Sequence, residues 1–157
     1  MAHEYRATVS WMRNGEAFSD NRYSRGHLWS FDGGVQVPAS ASPSVVPLPL
    51  SREDAVDPEE AFVAAVSSCH MLTFLSIAAK KRFVVDLYED RALGVMTKND
   101  KGKLFVSKVT LDPKIEFSGE KLPTSEQIAD MHHLAHQECF IANSVLTEVE
   151  VAGLPSH

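Results

Sequence analysis

Asp57-Pro58-Glu59-Glu60-Ala61-Phe62-Val63-Ala64-Ala65-Val66-Ser67-Ser68-Cys69-His70-Met71-Leu72-Thr73-Phe74-Leu75-Ser76-Ile77-Ala78-Ala79-Lys80 is the stretch that decides the fold. It opens as a helix should. Asp57 can cap the free amides, Pro58 suits the first turn, and Glu60 stands at capping-box spacing from Asp57. From Ala61 to Ala79 there is no Lys, Arg, Asp or Glu. Such a helix is apolar almost all round and needs cover on every side. Ala61, Ala64, Ala65, Ser67 and Ser68 are small enough to let another backbone approach closely. Lys80-Lys81-Arg82 then places positive charge at the C-terminal end, where the helix dipole favours it. A run this long could span a bilayer by length. Ser67, Ser68, His70, Thr73 and Ser76 interrupt it, however, and nothing else in the chain reads as membrane-bound. A central helix in a soluble fold is the better reading.

The surrounding chain is 157 residues long, which predicts one domain, residues 1–157, with a real core. A net charge of -6 with no basic face argues against nucleic acid as a partner. Cys69 and Cys139 lie far apart, which excludes a CxxC or zinc-ribbon pattern, and two cysteines are too few for a disulfide scaffold. Met1-Ala2-His3-Glu4-Tyr5-Arg6 carries no apolar signal core, so the expectation is a cytoplasmic protein with reduced thiols.

Before the central helix, Tyr5 to Trp11 and His27 to Phe31 read as strands, with turns at Asn14-Gly15 and Asp32-Gly33-Gly34. Val35-Gln36-Val37 follows. A proline-punctuated loop, Ala39-Ser40-Ala41-Ser42-Pro43 onward through Pro47 and Pro49, leads to the helix; loops of this length are often functional. After the helix, Val84 to Met96 reads as one long strand, turned at Asn99-Asp100-Lys101-Gly102, and Leu104 to Phe117 returns. Pro113 makes the far end of the return irregular or an edge. A second helix starts near Thr124, with Gln127 at capping-box spacing, and runs to about Cys139. Val145, Thr147, Val149 and Val151 alternate in a last strand. Hairpins on both sides of a buried helix give an α+β class with mainly antiparallel sheet.

Three groups of residues could carry chemistry. Cys69 alone reads most simply as a small core residue. Cys139 closes the second helix in a setting expected to be more mobile, and two thiols can act as attacker and resolver if the fold brings them together. Arg22 and Arg25 flank a strand, where arginine usually marks a solvated edge. A cation beside Cys69 would nevertheless lower its pKa from about 8.5 and supply thiolate at neutral pH. Cys69 is mid-helix and gains little from the helix N-terminus, so it needs such a partner. His132 and His136 stand one turn apart, superficially like HExxH, but His133 replaces the general base and no third ligand is evident, so no metal is expected. A Cys-His hydrolase using Cys69 with one of these histidines has no local signature.

Asp57 to Cys69 resembles the first-cysteine helix of the OsmC/Ohr family, the osmotically inducible protein C and organic hydroperoxide resistance proteins. Ala135-His136-Gln137-Glu138-Cys139-Phe140-Ile141-Ala142-Asn143-Ser144 resembles its second-cysteine motif. Order and separation fit, and the resemblance covers nearly the whole chain. It implies an intertwined homodimer with sheets wrapped around long buried central helices. It implies a peroxidase for organic hydroperoxides that needs no cofactor. In it Cys69 would be the peroxidatic cysteine, Cys139 the resolving one, and Glu59 the site's acid. Arg25 would be the arginine that pairs with acid and thiolate, with Arg22 the runner-up. The reductant would be a dithiol, such as a lipoylated protein. Phe140 and Ala142 replace the Pro and Ser of many members. The Ala39–Pro43 loop and Ser68-Cys69-His70-Met71 suggest an OsmC-like subgroup. The competing expectations are a binding module of the same fold with structural cysteines, or the hydrolase.

Overall fold

A computed structural model describes residues 2–155, and its elements follow the order β1 Ala7–Ser10, β2 His27–Phe31, β3 Gln36–Ala39, α1 Pro58–Lys80, β4 Val84–Asp90, β5 Leu93–Lys98, β6 Leu104–Leu111, β7 Pro113–Ser118, α2 Ser125–Glu138 and β8 Glu148–Val151. The class is α+β with antiparallel sheets and a long helix. The chain gathers into two compact units, one up to Ala61 and one from Phe62 on.

In the first unit β1, β2 and β3 form an antiparallel meander, with Val9 opposite Trp29 and Trp29 opposite Val37. Asn14 and Gly15 both take positive φ, as the turn signal in the sequence requires. The long loop after β3 is ordered by its own bonds. The Ser40 N–H donates to the Val56 carbonyl (3.0 Å), and the Arg52 N–H donates to Ser40 Oγ (2.9 Å).

The start of α1 is the one its sequence encodes. The Glu60 N–H donates to Asp57 Oδ1 (2.8 Å) and the Asp57 N–H to Glu60 Oε1 (2.9 Å), closing a capping box. The helix ends in a Schellman turn. Arg82 adopts φ 64°, the Phe83 N–H reaches the Ala78 carbonyl and the Arg82 N–H the Ala79 carbonyl, both at 3.0 Å.

In the second unit α1 buries one stripe, Val66, His70, Phe74 and Ala78, spaced one turn apart. Phe74 and Ala78 pack with Phe83, Met131 and Ala135 under the β4–β7 pair; Val66 packs with Val109 and Leu111. The opposite stripe, Ala64, Ala65, Ser68, Leu72 and Ser76, is exposed, Leu72 to 62%. The residue pattern predicts cover on every side; among the described residues of one chain α1 buries a single stripe. α1 is long and apolar enough to cross a membrane by length and composition, with a mean hydropathy of 1.7.

The long hairpin after α1 is bent. The sequence expectation of one strand from Val84 to Met96 and one return is corrected here: both strands break at the same level, into β4 and β5 and into β6 and β7. β4 pairs only with β7, whereas β5 pairs with β6. Asp90 holds the bend, accepting the Asp112 N–H on Oδ1 (2.7 Å) and the Ser67 hydroxyl of α1 on Oδ2. Gly94 sits so close to α1 that a Cβ there would lie 2.5 Å from Val63 Cγ2, which only glycine avoids. β8 joins the edge of β6 in parallel, an arrangement that the alternation in its sequence does not announce.

Candidate active site

The second unit brings the two cysteines together. Cys69 lies half-buried in the interior of α1, and its carbonyl accepts the Thr73 hydroxyl (2.8 Å). Cys139 is the C-cap residue of α2 and is buried to 1% exposure. Both are free thiols, and Cys69 is near enough to act on the Cys139 thiol. Burial pushes the Cys139 thiol up to about 11, and the neighbouring Cys69 thiol adds to this. The backbone amides of Ala142 and Ile141 oppose the shift. The Ala142 N–H points at Cys139 Sγ (3.4 Å) from the single 3-10 turn Ala142–Ser144.

The expected looseness around Cys139 is not what its bonds show. Asn143 clamps the helix end: its N–H donates to the Cys139 carbonyl (3.0 Å), and Nδ2 donates to the carbonyls of Gln137 (2.8 Å) and Cys139 (3.0 Å). These satisfy carbonyls that the end of α2 would otherwise leave bare. Thr124 starts the same helix with the capping box read from the sequence, its Oγ1 accepting the Gln127 N–H (3.2 Å). Both ends of the element that carries Cys139 are therefore fixed.

Arg25 and Glu59 belong to the first unit. The Arg25 guanidinium lies 3.6 Å over the Tyr23 ring. It donates to the Tyr23 carbonyl, to the Asn21 carbonyl (3.1 Å) and to Asn21 Oδ1 (2.9 Å). Tyr23 is itself stacked on Phe18 at 4.6 Å. Trp29 Nε1–H can only donate, so His27 Nε2 accepts it (3.1 Å), and His27 Nδ1–H donates to the Arg25 carbonyl (2.8 Å). Arg25 is thus held at both its head and its backbone. Arg22 is exposed, and its backbone N–H donates to Asp20 Oδ1 (3.0 Å). Glu59 sits in the first turn of α1, and its Oε2 is buried with no hydrogen-bond partner. Ten residues of helix place it about 15 Å from Cys69 along the axis.

A buried histidine pair escapes sequence reasoning. His70 of α1 and His132 of α2 stack at 5.3 Å with Nε2 and Nδ1 3.0 Å apart. Burial holds both at about 4. For His70 the neighbouring His132 and His136 add to the effect; for His132 the carboxylate of Asp90 opposes it. The pair is neutral and bonded to itself; among the described residues no group of three or more His, Cys, Asp or Glu is gathered to hold a metal. The one sequence signal for the pair is His70 on the buried stripe, where a polar ring needs a partner.

Comparison with known proteins follows the same lines. Residues 51–152 match the profile of the OsmC-like protein family. An OsmC-like protein of unknown function from Vibrio cholerae is 61% identical, with a TM-score of 0.94 over 96% of this chain and 98% of that one. An OsmC-like protein from Mycoplasma pneumoniae superposes with a TM-score of 0.71 at 14% identity, covering 96% of each chain. An organic hydroperoxide resistance protein from Elizabethkingia anophelis, crystallised with thiocyanate bound, gives 0.69 at 18% identity, over 96% of this chain and 94% of that one. No curated protein matches the chain in sequence. With residues 51–152 inside the family profile, more than half of the chain, and a relative at that identity, the chain belongs to the OsmC-like family.

Proposed function

We propose that the protein is a cysteine-based peroxidase that reduces organic hydroperoxides. The observation that carries this reading is the pair of neighbouring free thiols, one inside a helix and one capping another. The Cys69 thiolate attacks the distal peroxide oxygen. The O–O bond breaks, the alkoxide takes a proton and leaves as the alcohol, and Cys69 becomes a sulfenic acid. Cys139 then condenses with it: an S–S bond forms and the sulfenic hydroxyl leaves with the Cys139 proton as water. A dithiol reductant, for instance a lipoylated protein, restores both thiols by exchange. Cys139 suits the second step because its raised pKa keeps it a thiol until the sulfenic acid stands beside it. Reduced thiols suit the cytoplasm.

Arg25 supplies the positive charge that Cys69 needs, and Glu59 orients Arg25. Because Glu59 is about 15 Å from Cys69 on the same helix, we assign it to the other chain's site in a homodimer. The exposed stripe of Ala64, Ala65, Ser68 and Leu72 on α1 is the face through which two such helices would pack. Mixing Glu59→Ala with Cys69→Ser after joint refolding should return part of the activity. Heterodimers without activity would move Glu59 out of the site or into its own chain's.

The deciding experiment adds cumene hydroperoxide to reduced protein, follows peroxide loss and maps disulfides. Peroxide consumption with a Cys69–Cys139 disulfide is the expected result. No reaction at either thiol would leave a binding module with structural cysteines, and ester turnover without a disulfide would leave a Cys-His hydrolase.

A further inference from the structure

His70 and His132 take no part in the peroxidase steps, yet their bond joins the two helices that carry the thiols. His70 directly follows Cys69 on α1. His132 precedes Cys139 on α2 by about two turns, or about 10.5 Å along the axis. Both rings are closed off from solvent, His70 at 1% exposure and His132 at 4%. Stability alone does not account for the pair. His70 Nδ1 is buried with no hydrogen-bond partner, a cost that two apolar side chains of like size would not carry. The attested use of such a buried polar bond is to fix one packing register among several.

The other contacts between these helices are apolar. Phe74 and Ala78 of α1 pack with Met131 and Ala135 of α2, and the Phe74 ring lies 4.4 Å from that of His132. Apolar contact has no direction and tolerates a small slide. The thiols do not tolerate one. A slip of α2 by one residue would move Cys139 by about 1.5 Å and turn it by about 100°. A disulfide needs its two Cα atoms about 4.4–6.8 Å apart, with the Cβ atoms facing. The 3.0 Å bond from one ring nitrogen to the other is directional, so it sets where α2 lies along α1. α2 carries that setting on to Cys139, because the helix is unbroken up to Glu138 and Asn143 clamps its end.

We propose that His132, through its bond to His70, is a positioning residue for disulfide closure: it holds α2 at the register that keeps Cys139 beside Cys69. The step it serves rests on the peroxidase reading, but its test needs no peroxide. Full-length protein is equilibrated at pH 7.5 in mixtures of reduced and oxidised glutathione. As the Cys69–Cys139 bond forms, oxidised glutathione takes up the electron pair and its own S–S bond breaks to two thiols. The equilibrium gives the effective concentration of one protein thiol at the other. His132→Phe keeps a ring and removes the nitrogen; His132→Asn keeps a polar atom near the Nδ1 position and removes the ring. His132→Phe should lower the effective concentration at least about tenfold, a shift of about 30 mV in potential, and His132→Asn should recover most of it. Alkylation of Cys69 by iodoacetamide should be the same in all three proteins. Closure as complete in His132→Phe as in the wild type, His132→Asn no better than His132→Phe, or Cys69 alkylation altered as strongly as closure would overturn the proposal. Should His132→Phe fail to fold, His70→Leu combined with His132→Leu removes the bond without leaving an orphaned nitrogen. The same loss is then expected, and undiminished closure overturns the proposal. A wild type that forms no Cys69–Cys139 disulfide would remove the peroxidase reading as well, whereas closure indifferent to these variants removes the positioning role alone.

Discussion

The two cysteines carry the same group in opposite settings. Cys69 sits in the middle of a helix whose backbone bonds are complete, is half-buried, and is followed by a histidine that locks the next side chain into the core. Cys139 sits where a helix stops, is fully buried, and is surrounded by amides and an asparagine that finish the helix. Position in the helix thus decides what each thiol can do. The interior cysteine has a fixed direction of approach. The terminal one borders a 3-10 turn whose Ala142 amide points at its sulfur.

The sharpest break in that comparison is to remove each thiol in turn. Cys69→Ser should lower peroxide reduction by about a thousandfold or more, since the nucleophile itself is gone. Cys139→Ser should complete one turnover at near wild-type rate and then accumulate sulfinic acid on Cys69, seen by mass spectrometry. If the outcomes were exchanged between the two variants, the assignment of attacker and resolver would be reversed.

Acid probes the core behind Cys69. His70 and His132 are depressed from 6.5 to about 4 in the fold, so between these values the unfolded chain binds more protons. Their contribution is therefore complete above about pH 6.5 and is lost as pH falls toward 4, on the order of 3 kcal/mol for the first proton. Denaturant titrations from pH 7.5 to 4 should show this decline, and the profile should flatten in His132→Phe. An unchanged slope in that variant would mean other groups cause it.

A smaller effect separates the thiols by charge. Arg25→Ala should slow the alkylation of Cys69 by about tenfold at pH 7. Cys139, governed by burial, should be untouched. Alkylation rate against pH for both proteins reads this directly; superimposable profiles would take Arg25 out of the site and turn attention to Arg22.

The smallest effect lies in the clamp. Asn143→Ala should cost about 1 kcal/mol in unfolding free energy. It should also raise the alkylation of Cys139 relative to Cys69 in the native protein. A stability loss without that selective gain would show that Asn143 supports the fold alone.

Local signals were legible where they are complete in a few residues. Asp57 with Glu60, and Thr124 with Gln127, named both helix starts because a capping box closes within one turn. His27 to Phe31 was bounded by its turns. The bend in the hairpin was not legible, since the break is fixed by Asp90 bonding two groups distant in sequence. The meeting of Cys69 with Cys139, and of His70 with His132, depends on how α1 and α2 pack, which no single stretch encodes. The one-sided cover of α1 was hidden for the same reason: composition reports how apolar a helix is, and only the fold reports which side its own chain reaches.

Asp90 has a kinetic consequence of its own. The hairpin is two short ladders meeting at one carboxylate, so fraying that starts at the Asn99–Gly102 turn need not pass the bend. Amide hydrogen exchange should then fall into two classes, β5 and β6 on one side and β4 and β7 on the other, with the Asp112 amide marking the boundary. Because the same carboxylate also holds Ser67, two residues before Cys69, the boundary between the two ladders is tied to the helix that carries the thiol.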